Sequence, residues 1–229
     1  MKLLIIFVLL IKGYSTLYAQ EETGKTQDQT GNYFEGLIKY SIDYTGVKGT
    51  QSKESLAFLE KKPCKNMDIF YKDADFIINL YNGEFPTTRL FIADSNRMYT
   101  LDVANKRAFR FEQYEPQSST PPTAVPTGNK LMVAGIECKE YKVEKPNRTI
   151  LYYVSDKYRI NTALYKGKTK AQAAFLTKGL NGRIPLKTIQ KTDNLQITTI
   201  AIKIEPKKLQ KEQFRIPNGW KMSGLDLRR

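Results

Sequence analysis

Histidine does not occur among the 229 residues, tryptophan occurs once, at Trp220, and cysteine twice, at Cys64 and Cys138. Without histidine, His-dependent nucleophile triads, most catalytic zinc sites and the commonest general base are excluded. Two cysteines with no Cys-x-x-Cys spacing leave no thiol-exchange motif and no Cys-rich metal site. Gly-x-Ser-x-Gly, the Walker phosphate loop and Gly-x-Gly-x-x-Gly are also missing. A carboxylate pair serves glycosidases, but Asp73/Asp75 fall where a turn is expected and Glu137/Glu140 in a strand with a wet face. The sequence therefore indicates no catalytic residue, no metal and no cofactor, and an enzyme is the least supported class.

Long apolar runs are equally scarce. The one at the start, Leu3 to Ile11, follows Lys2 and leads through Gly13, Ser15 and Thr16 to Ala19. As a helix it rises ~14 Å, short of a ~30 Å hydrocarbon core. Residues 1–19 accordingly read as a secretory signal and the polar residues 20–32 as a flexible leader. Export is expected, to the periplasm first and otherwise to the outer membrane or the outside, and it puts cytoplasmic nucleic acid out of reach. In an oxidising compartment Cys64 and Cys138 either form a disulfide or fill apolar space as two separate thiols. The formal charge of +14 predicts attraction to an anionic membrane or polysaccharide surface, unless lysine only keeps exposed strand faces soluble.

Residues 33–229 suit one domain. In "GLIKYSIDYTG", Ile38, Tyr40, Ile42 and Tyr44 alternate with Lys39, Ser41, Asp43 and Thr45, the period of a strand with one buried and one wet face. Similar segments follow at "ESLAFLEKK", "NMDIFYKD", "DFIINLYNG", "TTRLFIADSN", "RMYTLDVAN" and "KRAFRFEQYE". Seven strands over residues 33–115 at roughly ten-residue spacing predict an all-β sandwich or barrel-like sheet. The stretch 116–130, with four prolines, reads as a long surface loop. Beyond it lie "GIECKEYKV", "RTILYYVSD", "RIPLKTIQKT" and "LQITTIAIKIEP". Breaks of parity between Cys138 and Tyr141, and between Thr198 and Ile200, predict bulges. Helices are expected only at 169–176 and 205–214.

What the chain has in quantity is tyrosine (14) and phenylalanine (11), residues suited to lining a cavity wall. On the expected inner face these are Tyr40, Tyr44, Phe109, Phe111 and Tyr152, accompanied by Ile38, Ile42 and Ile150. Either they form an ordinary packed core or they line a ligand site, because a long curved sheet with few helices has difficulty filling its own concave face. "TKGLNGRIPLKT" (177–188) has a Gly-x-x-Gly between Lys178 and Arg183, the composition of a nucleic-acid clamp. Its setting, a short helical window followed by a strand, favours a turn through Asn181-Gly182 instead.

Four stretches in order, "GLIKYSIDYTG", "VAGIECKEYKV", "KGLNGRIPLKTI" and "TTIAIKIEPKKLQKEQFRIPNGWK", resemble exported bacterial proteins of the LolA/LolB/LppX-like superfamily and the related GLPGLI proteins. Gly135, Cys138 and Tyr141 match a Gly-x-x-Cys-x-x-Tyr strand. Phe214, Ile216, Pro217, Gly219 and Trp220 match a closing Phe-x-Ile-Pro-x-Gly-aromatic motif. In the GLPGLI stretch, Asn181 replaces proline and Arg183 replaces leucine. The resemblance implies a mostly β, LolA-like fold, a curved antiparallel sheet forming an unclosed half barrel with short helices across its concave face. It further implies that this concavity holds a hydrophobic small molecule or lipid, such as a lipoprotein acyl chain. It carries over no catalytic residue. The alternative is a structural or interaction protein of the envelope with a filled core, and a lipocalin-like closed barrel is the architectural rival.

Overall fold

The computed structural model describes residues 33–47, 53–111, 123–164 and 179–224. The expected secretory signal and leader, the first part of the proline-rich stretch and the expected helix 169–176 lie outside them. In chain order come β1 (Gly36–Gly46), helix α1 (Lys53–Glu60), β2 (Asn66–Lys72), β3 (Asp75–Tyr81), β4 (Thr87–Ile92), β5 (Arg97–Asp102) and β6 (Arg107–Phe111). Then follow β7 (Val125–Val133), β8 (Ile136–Lys145), β9 (Arg148–Arg159), β10 (Arg183–Lys191), β11 (Leu195–Pro206) and β12 (Lys221–Gly224). All twelve strands form one unclosed sheet in the order β12-β6-β5-β4-β3-β2-β1-β11-β10-β9-β8-β7. Pairing is antiparallel except between β12 and β6, which run parallel.

Several local expectations are corrected. "ESLAFLEKK" is mostly α1, so six strands rather than seven precede the proline stretch. Its Leu, Ala and Glu are helix formers, it has no β-branched residue, and Pro63 stops it. Residues 205–214 are not an α-helix. Strand β11 continues to Pro206, and only a 3-10 turn forms at Lys211–Phe214. Tertiary bonds from Lys207 N to the Glu35 carbonyl (3.1 Å) and from Leu209 N to Glu35 Oε1 (2.5 Å) hold the intervening chain extended. Residues 125–130 of the proline-rich stretch belong to the edge strand β7. The irregularity expected in β8 lies across from it, where Thr127–Asn129 of β7 loop around Glu140, and that of β11 falls at Ile202. The Glu140 carboxylate accepts from Thr127 Oγ1 (2.7 Å) and Asn129 Nδ2 (3.1 Å). Burial alone would raise its pKa, but bonds from Tyr153, Thr127 and Asn129 and the charge of Lys187 hold it below the usual carboxylate range.

The cysteines are free and buried, which corrects the disulfide alternative. Cys64 lies just before β2, where its Sγ donates to the Phe85 carbonyl at 3.4 Å. Cys138 lies near the opposite end of the strands, in β8, and burial pushes its thiol up to about 11.

Curvature follows from contacts between strands distant in the sheet. In a flat sheet β9 and β2, four spacings apart, would be separated by ~19 Å. Yet Asn161 N, just beyond β9, donates to the Asp73 carbonyl after β2 at 3.2 Å, and Phe34 N to the Arg159 carbonyl at 2.8 Å. The Phe34 ring meets those of Tyr158 and Tyr71 edge-on, at 5.2 and 6.0 Å. Tyr71 pairs with Gly36 and so shares the face of Ile38. The face of Ile38 is therefore the concave one.

The outer face is covered by the chain's own tail. Leu37, Phe70, Ile77, Leu90 and Tyr99 are opposed strand by strand in one outer row. Lys207 lies over the Phe70 ring at 5.2 Å, and Glu35 bridges Lys72 (2.9 Å) and the Leu209 amide. The 3-10 turn then packs on β3 and β4 with Phe214 1% exposed, and the chain emerges beyond β6 as β12. Phe214 is thus the apolar anchor of this strap and Glu35 its polar one.

Phe214→Ala is expected to lower stability by about 3–5 kcal/mol, read as a lower urea midpoint with an unchanged slope. The Leu209 amide and the Lys72 ammonium hold the Glu35 carboxyl below the usual range. Its stabilisation is therefore complete above the unfolded-state value of ~4.3 and lost as pH falls through the lower folded-state value. Glu35→Gln should cost about 1.5–3 kcal/mol at neutral pH, and the gap between the two proteins should close as urea titrations move below pH ~4.

Candidate functional site

Directly opposed residues of a ladder share a face, and the register settles where the expected lining residues stand. One concave row runs Ile38, Ile69, Ile78, Arg89, Thr100, Phe109 from β1 to β6. In the other direction Ile42, Thr199, Thr188, Tyr152 and Tyr141 form a row, as do Tyr44, Ile197, Gln190, Ile150 and Val143. Backbone pairing with Met98 puts Phe111 on the same side, through Phe91, Phe76 and Tyr71; its side chain lies outside the described residues. By ladder parity Ile38, Tyr40, Ile42, Tyr44, Phe109, Phe111, Ile150 and Tyr152 share a side, but packing divides them: Ile38 and Tyr40 cluster with Tyr153, Leu151 and Ile189, whereas Ile150 and Tyr152 belong to a separate cluster.

That face is not uniform from end to end. At the end bearing the β2–β3 turn it is sealed by aromatic rings. Phe76 stacks on Phe91 at 4.8 Å, Tyr71 meets Phe76 at 6.2 Å, and Tyr158 and Ile160 come across from β9. In the middle, Ile38 is 0% and Tyr40 3% exposed. The Tyr40 hydroxyl donates to the Pro185 carbonyl at 3.0 Å and is also hydrogen-bonded with the Tyr71 hydroxyl. Ile38 and Tyr40 are therefore filled against the chain's own side chains, with Ile184 and Leu186 in the same cluster. Ile150 and Tyr152 pack into a second cluster with Val143, Val154 and Leu180.

Burial relaxes towards the opposite end, where α1 connects β1 to β2, and outward along the row of Ile38 from β3 to β6. Met67, Ile78, Leu80, Phe109, Tyr44 and Ile197 are all half-buried. Sequence reasoning missed Met67, Ile78, Leu80 and Ile197. The signal was present in the alternation Met67-Ile69-Tyr71 and Phe76-Ile78-Leu80, but Phe70 and Ile77 on the outer face are also apolar and conceal it.

The tyrosines add no charge to this face, on which Arg89 stands opposite Ile78. Burial raises the Tyr40 and Tyr71 hydroxyls well above their ordinary value, pushes Tyr152 up to about 12, and raises Tyr44 with help from neighbouring Cys64. The Tyr44 hydroxyl donates to the Cys64 carbonyl at 3.0 Å, and its ring meets Phe58 of α1 at 5.5 Å. No histidine is available to change the charge near neutral pH.

The features with a chemical alternative have structural roles. Asp75 accepts from Ala93 N at 2.7 Å, and burial raises its pKa. Glu137 pairs with Lys130 at 3.0 Å in solvent, three residues along the strand from buried Glu140, so the two carboxylates point to opposite faces. In the Gly-x-x-Gly stretch, Asn181 and Gly182 both have positive φ (50° and 73°). A Cβ at Gly182 would sit 2.9 Å from the Ile160 carbonyl oxygen, so only glycine lets this turn lie against the end of β9. Arg183 is engaged by Asp156 at 2.5 Å and lies over the Tyr141 ring at 5.8 Å. The turn is a packing element of the closed end.

No family model matches the chain, and no curated protein does. Among solved structures it is similar to an uncharacterized conserved protein from Thermus thermophilus, with 6% identity over 83% of this chain and 91% of that one and a TM-score of 0.47. It is similar also to PNGF-II in its C2 crystal form, with 11% identity over 85% of this chain but 31% of that one and a TM-score of 0.49. The lipoprotein LppX of Mycobacterium tuberculosis matches at 9% identity over 77% of this chain and 89% of that one, with a TM-score of 0.33. At such values none of these likenesses carries a function across, and the functional reading rests on this chain's own residues.

Proposed function

We propose that the protein is an exported, non-enzymatic binding protein that holds the aliphatic chain of a lipid or similar amphiphile against the α1 end of the concave face. The observation that carries this reading is the gradient of burial along a single face. Apolar residues are sealed at one end, filled in the middle and half-buried over Met67, Ile78, Leu80, Phe109 and Ile197. An acyl chain lying there completes a burial that the protein leaves unfinished. Roughly ten methylenes contribute about 8 kcal/mol before the cost of ordering the chain, with no specific polar contact required. The uncharged tyrosines suit such a ligand. The LolA-like motif order and the signal-like residues 1–19 support a carrier role in the cell envelope.

Full burial of Ile38 and Tyr40 favours the second reading, an envelope structural protein with a filled core and no ligand. Gentle extraction of the purified protein followed by lipid mass spectrometry, with titration of a fluorescent fatty acid, separates the two. Co-purified lipid and micromolar binding are expected. Leu80→Glu should weaken binding at least tenfold with an unchanged circular dichroism spectrum. Empty protein that also refuses the probe would establish the filled-core reading.

A further inference from the structure

The antiparallel register brings three segments to one end of the sheet: α1 with residues 61–65, the β3–β4 turn 82–86, and the β5–β6 turn 103–106. They expose large apolar side chains at their tips, Phe85 at 64%, Val103 at 62%, Leu56 at 42% and Phe58 at 38%. The first two segments are joined. Glu84 N donates to the Lys62 carbonyl (3.1 Å), Lys65 N to the Asn82 carbonyl (3.3 Å), and Cys64 Sγ to the Phe85 carbonyl. A Cβ at Gly83 would collide with the Cys64 backbone, about 2.6 Å away, so the chain segments touch here without a side chain between them. The lone tryptophan, half-buried Trp220, stands beside the third segment, since Lys221 N donates to the Lys106 carbonyl at 3.0 Å.

Charge is distributed along the same axis. Exposed Lys61, Lys62, Lys65 and Lys106 surround these tips, with Arg107 and Lys221 beside the last of them, against Glu60, Glu84 and Asp102. The turns at the sealed end of β2–β5 carry Asp73, Asp75 and Asp94 beside Lys72 and Arg97. Apolar tips ringed by lysine, with a tryptophan at their margin, have the composition of a surface that seats in the interface of an anionic membrane. The whole chain's +14 charge provides the long-range attraction.

We propose that this rim is a docking surface for an anionic lipid bilayer, with Phe58, Phe85 and Val103 entering the headgroup region and the surrounding lysines meeting lipid phosphates. It stands whether or not the concave face holds a ligand. It also places the half-buried end of that face towards the membrane.

The test is co-sedimentation of the full chain with vesicles of equal parts phosphatidylglycerol and phosphatidylcholine, with Trp220 as the reporter. Binding is expected, with quenching of Trp220 by brominated lipid and loss of binding at high salt. Phe58→Ser/Phe85→Ser should weaken partitioning at least tenfold, and Phe85→Ser alone, which disturbs only an exposed tip, about threefold or more. Met132→Ser, an exposed apolar side chain at the other end of the sheet, should leave partitioning unchanged. The proposal is overturned if the protein does not bind these vesicles. It is equally overturned if the tip variants bind like the parent, or if Met132→Ser has the larger effect.

Discussion

Everything on the concave side depends on how the far end of β9 is tied to the start of the domain. A long sheet twists and curls of its own accord, but its inner face has to be covered by something. Here two backbone bonds, Phe34 N to the Arg159 carbonyl and Asn161 N to the Asp73 carbonyl, bring β9 across three intervening strands. The rings of Phe34, Tyr71 and Tyr158 fill the space this creates. The Asn181-Gly182 turn fits beneath β9 through the bond from Ile160 N to the Gly182 carbonyl. One end of the concavity is thereby closed by short, buried, mutually supporting contacts. The opposite end has no equivalent tie among the described residues, and there the apolar side chains stay half-buried.

The outer face solves the complementary problem. Its row from Leu37 to Tyr99 would be an exposed apolar stripe without the strap that follows β11. Glu35 fixes the strap where it leaves the sheet, Phe214 fixes its middle, and parallel pairing of β12 with β6 fixes its end. A parallel strand needs a crossover, and this crossover is what covers the outer row. The two faces therefore differ: the outer one carries the strap over β2, β3 and β4, and the inner one is closed at one end only.

Much of this was legible in the sequence wherever period two was clean. Alternation in β1 identified Ile38, Tyr40, Ile42 and Tyr44, and ladder register carries that parity to Phe109; in β9, beyond the bulges of β11 and β10, Leu151 and Tyr153 rather than Ile150 and Tyr152 pack with Ile38 and Tyr40. The grading of that face was not legible. Nothing local distinguishes Ile38, which is sealed, from Ile78, which is half-buried in the same row. The helix α1 was hidden by an apolar pattern compatible with a strand. The strap was hidden by its dependence on Glu35, whose bond to Leu209 spans 174 positions, beyond the reach of any propensity in "EPKKLQKEQF". The pair of cysteines fitted either a bridge or two fillers, and only their placement near opposite ends of the strands decided between them.

A protein that seals one end of an apolar face and leaves the other half-buried, beside a lysine-ringed rim with exposed phenylalanines, is built with a direction. The most direct test of that polarity is paramagnetic broadening of amide resonances by a fatty acid spin-labelled near its methyl end. Broadening confined to Leu80, Phe109, Ile197 and their neighbours, with Ile38 and Phe91 untouched, is the expected pattern. Broadening centred on the Phe34–Tyr158 end, or none that saturates, would contradict it.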